Sequence, residues 1–325
     1  MLNRLKSVAV ILMFPCICYA QEPIKADTLI KKLDSLQAKP SEKNVINNVD
    51  PEAYNENTNL NFRTYFILLG SDLKQQFTIP FHTKKKEWIK TAAFAGIVAG
   101  LTFTDKPINK FTTRITNSSN TISSSSHFIT KVSGLYETYT LAALGIYGFA
   151  VKNQKLKTTT LLATQAYITG AVVETVLKTL SGRQRPNYID AVTKQNKPTF
   201  NGPFGGTKRD TYGKKLNSSF PSGHAVVAFA AATVFAKEYR DIKWVPIVAY
   251  SAAGLIGASR LTENKHWFTD VVAGSVLGFL TGKQIVNNYH RYARIKTGRA
   301  KKNTVSFNIN YSMGILQPGL VWKFN

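Results

Sequence analysis

Six apolar segments, at roughly 88–104, 136–152, 159–180, 222–238, 244–260 and 267–287, constrain the fold more than any other feature of the chain. Each is rich in Ala, Gly, Leu, Val and Ile and has the length of a helix of several turns rather than of a strand. Their uninterrupted apolar runs are mostly shorter than the ~20 residues a membrane-spanning helix needs. They fall between buried core helices and true spans. The expected fold class is all-α, a six-helix core bundle. Residues 303–324 read differently, because Val305, Phe307, Ile309 and Tyr311 alternate with polar residues. With Leu320, Trp322 and Phe324 beyond Gln317-Pro318-Gly319, they predict a short C-terminal β-hairpin turning near Pro318.

The N-terminus reads as an export signal over 1–20. Arg4 and Lys6 precede the apolar run Val8–Phe14, and Cys18-Tyr19-Ala20 ends in a small residue before Gln21. Both cysteines, Cys16 and Cys18, lie inside it, so a processed chain would hold no disulfide and no thiolate site. Residues 21–60 are polar, with one expected short helix at Thr28–Leu36. Residues 62–81 carry aromatics that would pack onto the main domain. The Ser/Asn-rich stretch 117–126 is expected to be a loop. The divisions are then 1–20, a polar linker and N-terminal packing segment at 21–87, the main domain at 88–292, and a basic tail with hairpin at 293–325.

Lys and Arg number 42 against 18 Asp and Glu, a net charge of +24. That balance favours anionic partners, either a phosphorylated ligand or an acidic membrane surface. Nucleic acid is not expected, since the sequence offers no basic recognition helix, zinc-ligand spacing or aromatic RNA platform. Nor does it point to an obligate protein partner.

Three clusters at helix ends carry the chemistry. Lys178 and Arg185, the latter in Gly182-Arg183-Gln184-Arg185-Pro186, are seven apart and share a face if the helix persists that far. Pro221-Ser222-Gly223-His224 opens the fourth segment. A proline, a hydroxyl and a glycine at a helix mouth with free N–H groups form a ready anion site, with His224 placed to move a proton. The fifth segment ends in Ser259-Arg260, and His266 is followed four residues later by Asp270. At that spacing Asp270 can accept a hydrogen bond from one imidazole nitrogen and leave the other free to attack. The pair alone is also compatible with a surface contact or half of a metal site. No third ligand stands at a suitable spacing, and no metal is expected.

The full pattern, Lys-x6-Arg-Pro, then Pro-Ser-Gly-His, then Ser-Arg-x5-His-x3-Asp, resembles the type 2 phosphatidic acid phosphatase / vanadium haloperoxidase superfamily over roughly 88–290. The Gly182-Arg183-x-Arg185-Pro186 variant looks like its lipid phosphatases. The resemblance implies a metal-independent phosphatase acting on a lipid phosphate or pyrophosphate. In it His266 would be the nucleophile that forms a phosphohistidine, Asp270 its orienting carboxylate and His224 the acid for the leaving oxygen. Lys178, Arg185, Arg260, Ser222 and Gly223 would hold the phosphate. No cofactor is implied, although vanadate could occupy the phosphate site. A vanadate-dependent haloperoxidase and a soluble periplasmic non-specific acid phosphatase are the alternatives.

Topology pulls two ways. If all six segments span, the motifs fall at one side and the basic loops Lys84–Lys86, Lys152–Lys157, Lys237–Lys243 and Lys283–Lys302 at the other, which places the site outside. A cleaved export signal would reverse that orientation. Short segments and a mean hydropathy of −0.13 favour a soluble periplasmic bundle. Loop charges and the lipid-type motif favour an inner-membrane enzyme facing the periplasm.

Overall fold

The computed structural model describes residues 51–54, 58–131, 137–188, 196–203, 205, 217–300, 304–312 and 315–323. The export signal, both cysteines and the short helix expected at Thr28–Leu36 lie outside the described residues. The fold is all-α at its core. The helices are α1 (Phe62–Thr78), α2 (Lys85–Leu101), α3 (Asp105–Ser118), α4 (Asn120–Lys131), α5 (Glu137–Ala150), α6 (Gln154–Ser181), α7 (Gly223–Glu238), α8 (Trp244–Thr262) and α9 (Phe268–Ala300). The six expected helices are α2 and α5 to α9.

Helix α7 is the axis of the bundle, with α6, α8 and α9 around it. Its small apolar residues, among them Ala225, Ala228, Ala230, Ala231, Ala232 and Ala236, are buried on every side. Helix α9 meets it through Gly274, Gly278 and Gly282, which recur once per turn. A Cβ at Gly274 would stand 2.7 Å from the Ser222 carbonyl oxygen, and one at Gly282 would stand 2.8 Å from Cβ of Thr233. Only glycine lets the two backbones approach this closely. The approach sets the mouth of α7 against the first turns of α9.

Two stretches differ from the sequence reading. Residues 117–126 are not a loop, because α3 runs to Ser118 and α4 starts at Asn120. Serine lowers helix propensity only slightly, and Phe111, Ile115, Ile122 and Ile129 supply apolar positions at helical spacing. Residues 62–78 form a full helix capped by the Asn61 side chain, which accepts from the Thr64 N–H at 2.8 Å. Helix α1 docks on α9 through polar contacts. Gln76 Nε2 donates to Gln284 Oε1 at 2.5 Å, and Asn288 Nδ2 donates to Asp72 Oδ1 at 2.6 Å.

At the C-terminal side, α9 continues to Ala300, well past the expected end near 287. Strands β1 (Thr304–Ser312) and β2 (Ile315–Lys323) then pair antiparallel, with Ser312 opposite Ile315 and Ile309 opposite Pro318. The chain therefore reverses between Ser312 and Ile315 and not at Gln317-Pro318-Gly319. A two-stranded sheet is all edge, so a proline without an N–H fits within the strand.

The outer helices turn apolar faces outward. On α8, Trp244, Ile247, Val248 and Leu255 are exposed, and Ile89 and Ile97 of α2 with Ile146, Tyr147 and Phe149 of α5 do the same. Among the described residues, two helices, Gln154–Ser181 and Trp244–Thr262, are long and apolar enough to cross a membrane.

Candidate active site

The site forms where the C-terminal ends of α6 and α8 meet the N-terminal ends of α7 and α9. Helix α6 stops because Gly182 takes a left-handed conformation, φ 52°, and returns its N–H to the Lys178 carbonyl. Lys178 thus lies in the last helical turn. Arg185 lies in the loop beyond, so the two do not share a helix face as the spacing allowed. Lys178 pairs with Glu174 one turn earlier. The Arg185 guanidinium reaches the Ser218 carbonyl at 3.4 Å.

Ser222 precedes the first residue of α7. Its N–H donates to the Asp270 carbonyl at 3.0 Å, and its carbonyl accepts from Val226. Gly223 leaves no room for a side chain, because a Cβ there would run into the Glu174 carboxylate and lie 3.3 Å from Lys178 Nζ. His224 follows, half-buried, and Arg260, Lys178 and Arg185 all act on it electrostatically. Arg260, from the last turn of α8, is held by Thr130 Oγ1 at 3.0 Å and Glu263 at 3.1 Å. The Ser222 hydroxyl and the Nε atoms of Arg185 and Arg260 are buried without a hydrogen-bond partner among the described residues. Buried donors without partners are costly in a folded protein. Around His224 they make a receptor for an anion.

His266 sits in the turn between α8 and α9 and is 2 % exposed. Its Nδ1 donates to the Ser219 carbonyl at 2.7 Å. Asp270 Oδ2 stands 3.7 Å from the same nitrogen, close enough for charge attraction but beyond a hydrogen bond. The hydrogen bond expected from Asp270 is therefore supplied by a main-chain carbonyl, which leaves Nε2 free. Burial, partly offset by Asp270, pushes the His266 pKa down to about 3, so the ring is neutral at ordinary pH.

Asp270 has other partners. Its Oδ1 takes an NH2 group of Arg183, and its Oδ2 accepts from the Ser219 hydroxyl and from the Trp267 N–H at 2.8 Å. The other NH2 group of Arg183 pairs with Asp105 at the start of α3. Asp105 in turn accepts from Thr269, from its N–H at 2.9 Å and its hydroxyl at 2.7 Å. The Arg183 guanidinium stacks 4.7 Å from the Phe200 ring and 5.9 Å from Trp267.

All eight residues expected from the motifs are thus brought to one end of the bundle. Ser219, Arg183, Glu174 and Asp105 are additions. Ser219 and Arg183 adjoin or interrupt the motifs in sequence. Asp105 lies far from them, and its only local signal is a helix-opening Asp-Lys-Pro. Among the described residues, no group of three or more His, Cys, Asp or Glu could hold a metal ion.

Residues 159–294 match the family model described as the PAP2 superfamily, a span that contains all eight motif residues. The chain is 42% identical over 67 residues to a lipid A 1-phosphatase of Porphyromonas gingivalis, covering 20% of this chain and 15% of that protein. It is 28% identical over 138 residues to a PA-phosphatase related-family protein of Dictyostelium discoideum, covering 36% and 44%. The match therefore spans less than half the length of either curated relative. Among solved structures, the first transmembrane PAP2 type phosphatidylglycerolphosphate phosphatase from Bacillus subtilis aligns with a TM-score of 0.41 and 19% identity, over 70% of this chain and 92% of that one. The motif residues and the match to the PAP2 superfamily model thus fall on the same stretch, residues 159–294.

Proposed function

We propose that the protein hydrolyses a phosphorylated lipid, a monophosphate or pyrophosphate, through a phosphohistidine on His266 and without a metal. The observation that carries this reading is the ring of Lys178, Arg185 and Arg260 around His224, with the unpaired Ser222 hydroxyl beside it. A phosphoryl transition state spreads negative charge over three equatorial oxygens, which fixed cations and N–H donors can stabilise. In the first step Nε2 of His266 attacks phosphorus while the bond to the leaving oxygen breaks and His224, protonated once the bound phosphate's negative charge offsets the three surrounding cations, gives that oxygen a proton. In the second, His224 takes a proton from water, the water oxygen bonds to phosphorus, and the P–N bond breaks to release phosphate. The Ser219 carbonyl and the nearby Asp270 carboxylate keep Nδ1 protonated and favour the positive charge the ring gains as the P–N bond forms.

A lipid substrate is supported by a groove of about 580 Å³ between α5, α7 and α8, lined almost wholly by apolar side chains. Its lining includes Ala228 and Ile256, each one helical turn from His224 and Arg260 respectively. The relatives named for lipid A and phosphatidylglycerolphosphate agree with that class. The outward apolar faces support a bundle embedded in the inner membrane, and the basic loops at the end away from the site support an active site facing the periplasm.

The test is phosphate release from a panel of lipid phosphates and pyrophosphates by purified protein in the presence of a chelator. Hydrolysis by the wild type and none by His266→Ala is expected. A His266→Ala protein as active as the wild type would overturn the mechanism, and release from envelopes without detergent would overturn the membrane assignment.

A further inference from the structure

We propose that Asp105 is a positioning residue of this site: through Arg183 and the first turn of α9 it fixes Asp270 and Ser219 against the His266 ring. The proposal rests on the reading of His266 as the nucleophile. Asp105 lies outside the stretch matched by the family and outside all three motifs.

The contacts form one continuous path. Asp105, Arg183 and Asp270 are each wholly buried. One NH2 group of Arg183 takes Asp105 and the other takes Asp270. The second oxygen of Asp270 accepts from the Ser219 hydroxyl, and the Ser219 N–H donates to the Arg183 carbonyl at 2.9 Å. The Ser219 carbonyl then accepts from His266 Nδ1 at 2.7 Å. The second oxygen of Asp105 holds the Thr269 N–H and hydroxyl, which pins the first turn of α9 immediately after His266 and Trp267. An acidic group is favourable at that helix N-terminus.

Charge gives Asp105 a role beyond rigidity. Arg183 paired with Asp270 alone would be neutral. Burial raises the Asp105 pKa, and Arg183 and the two Thr269 hydrogen bonds oppose that rise; ionised, Asp105 gives the buried trio a net negative charge beside a ring that becomes positive when phosphorus bonds to Nε2. In a buried site such a charge acts at short range with little screening. Asp105 therefore holds the ring and favours the charge it acquires, without touching substrate.

Asp105→Asn keeps the shape and removes the charge. In the full-length protein in detergent, kcat on a lipid phosphate is expected to fall roughly 10- to 100-fold. KM and inhibition by vanadate are expected to stay within about 2-fold, because the phosphate-holding cations are untouched. The 15N signals of His266 in histidine-labelled protein are expected to move away from the Nδ1–H tautomer of the wild type. An unchanged kcat, or a vanadate affinity that falls in step with kcat, would overturn the proposal. If Asp105→Asn does not fold, Thr269→Val removes one hydrogen bond to Asp105 and is expected to lower kcat about 3-fold at constant KM; no change would count against it. A wild type inert toward every lipid phosphate would refute the nucleophile reading instead. The histidine signals still decide for Asp105 in that case, since identical spectra of wild type and Asp105→Asn would overturn its positioning role.

Discussion

The Ser219 carbonyl oxygen accepts a hydrogen bond from Nδ1 of His266 at 2.7 Å. A main-chain atom cannot be removed by substitution, but its position depends on the Ser219 hydroxyl, which donates to Asp270. Ser219→Ala leaves the carbonyl in the chain and frees it to shift. Its kcat is expected to fall about 10-fold, equivalent to ~1.4 kcal/mol, with KM little changed. Steady-state kinetics on a lipid phosphate checks this, and a variant with wild-type kcat would show that the hydroxyl has no part in placing the ring.

Gly223 admits no side chain because of Glu174 and Lys178. Gly223→Ala must push both aside and so displace Lys178, a cation of the proposed phosphate site. Vanadate should inhibit this variant at least about 10-fold less well, reflecting the loss of one charged contact. Equal inhibition of both proteins would mean that Lys178 does not contact the bound anion.

Arg183 is the cation between two buried carboxylates. Arg183→Met leaves both without a countercharge, a change that costs about 3–5 kcal/mol. Thermal unfolding in detergent should show a large drop in midpoint, far beyond that of Arg185→Met at the rim of the anion receptor. Equal drops for the two variants would contradict the distinct roles assigned to these neighbouring arginines.

His266 has a pKa near 3 when folded, against an ordinary value of 6.5. Between those values an unfolded chain binds a proton at this residue and the folded chain does not, so stability rises with pH there and falls on acidification. The loss begins as pH drops below about 6.5 and levels off once the folded ring also protonates, near pH 3. His266→Gln lacks this contribution, so its stability between pH 4 and 6.5 should fall less steeply, by up to ~1.4 kcal/mol per pH unit. Unfolding midpoints of the two proteins across that range provide the measurement, and parallel slopes would argue that the buried ring is already protonated.

The eight motif residues were readable because their chemistry forces residue types and spacings into short stretches. A helix mouth must be small and polar, a histidine must stand a turn before its carboxylate, and a glycine must end the helix before Arg185. Asp105 was not readable, because its partners lie far along the chain and only the fold brings α3 over α9. The Asp270–His266 contact was misjudged for a related reason. The i, i+4 spacing does place the two together, but Arg183, Ser219 and Trp267 compete for the carboxylate, and a carbonyl from another segment takes the ring. The helices were located by their apolar runs. Those that escaped, α1 and α3–α4, are polar helices whose stability comes from tertiary contacts such as Gln76 with Gln284 and Asn109 with Asn264. Composition alone does not reveal such contacts. The hairpin turn was misplaced because proline and glycine were taken as turn formers, whereas the strand register runs straight through them.

Glu238 closes α7 at the end opposite His224. It accepts a hydrogen bond from Tyr54 and contacts His290 at 2.9 Å, while Tyr289 donates to the Ala53 carbonyl. Ala53, Tyr54 and the long extension of α9 therefore join the bundle at the end away from His224. Insertions, added charges or fused reporters placed there are insulated from turnover by the full length of α7. The flanking segments can diverge in sequence, or be engineered for tethering, while the catalytic geometry is inherited unchanged.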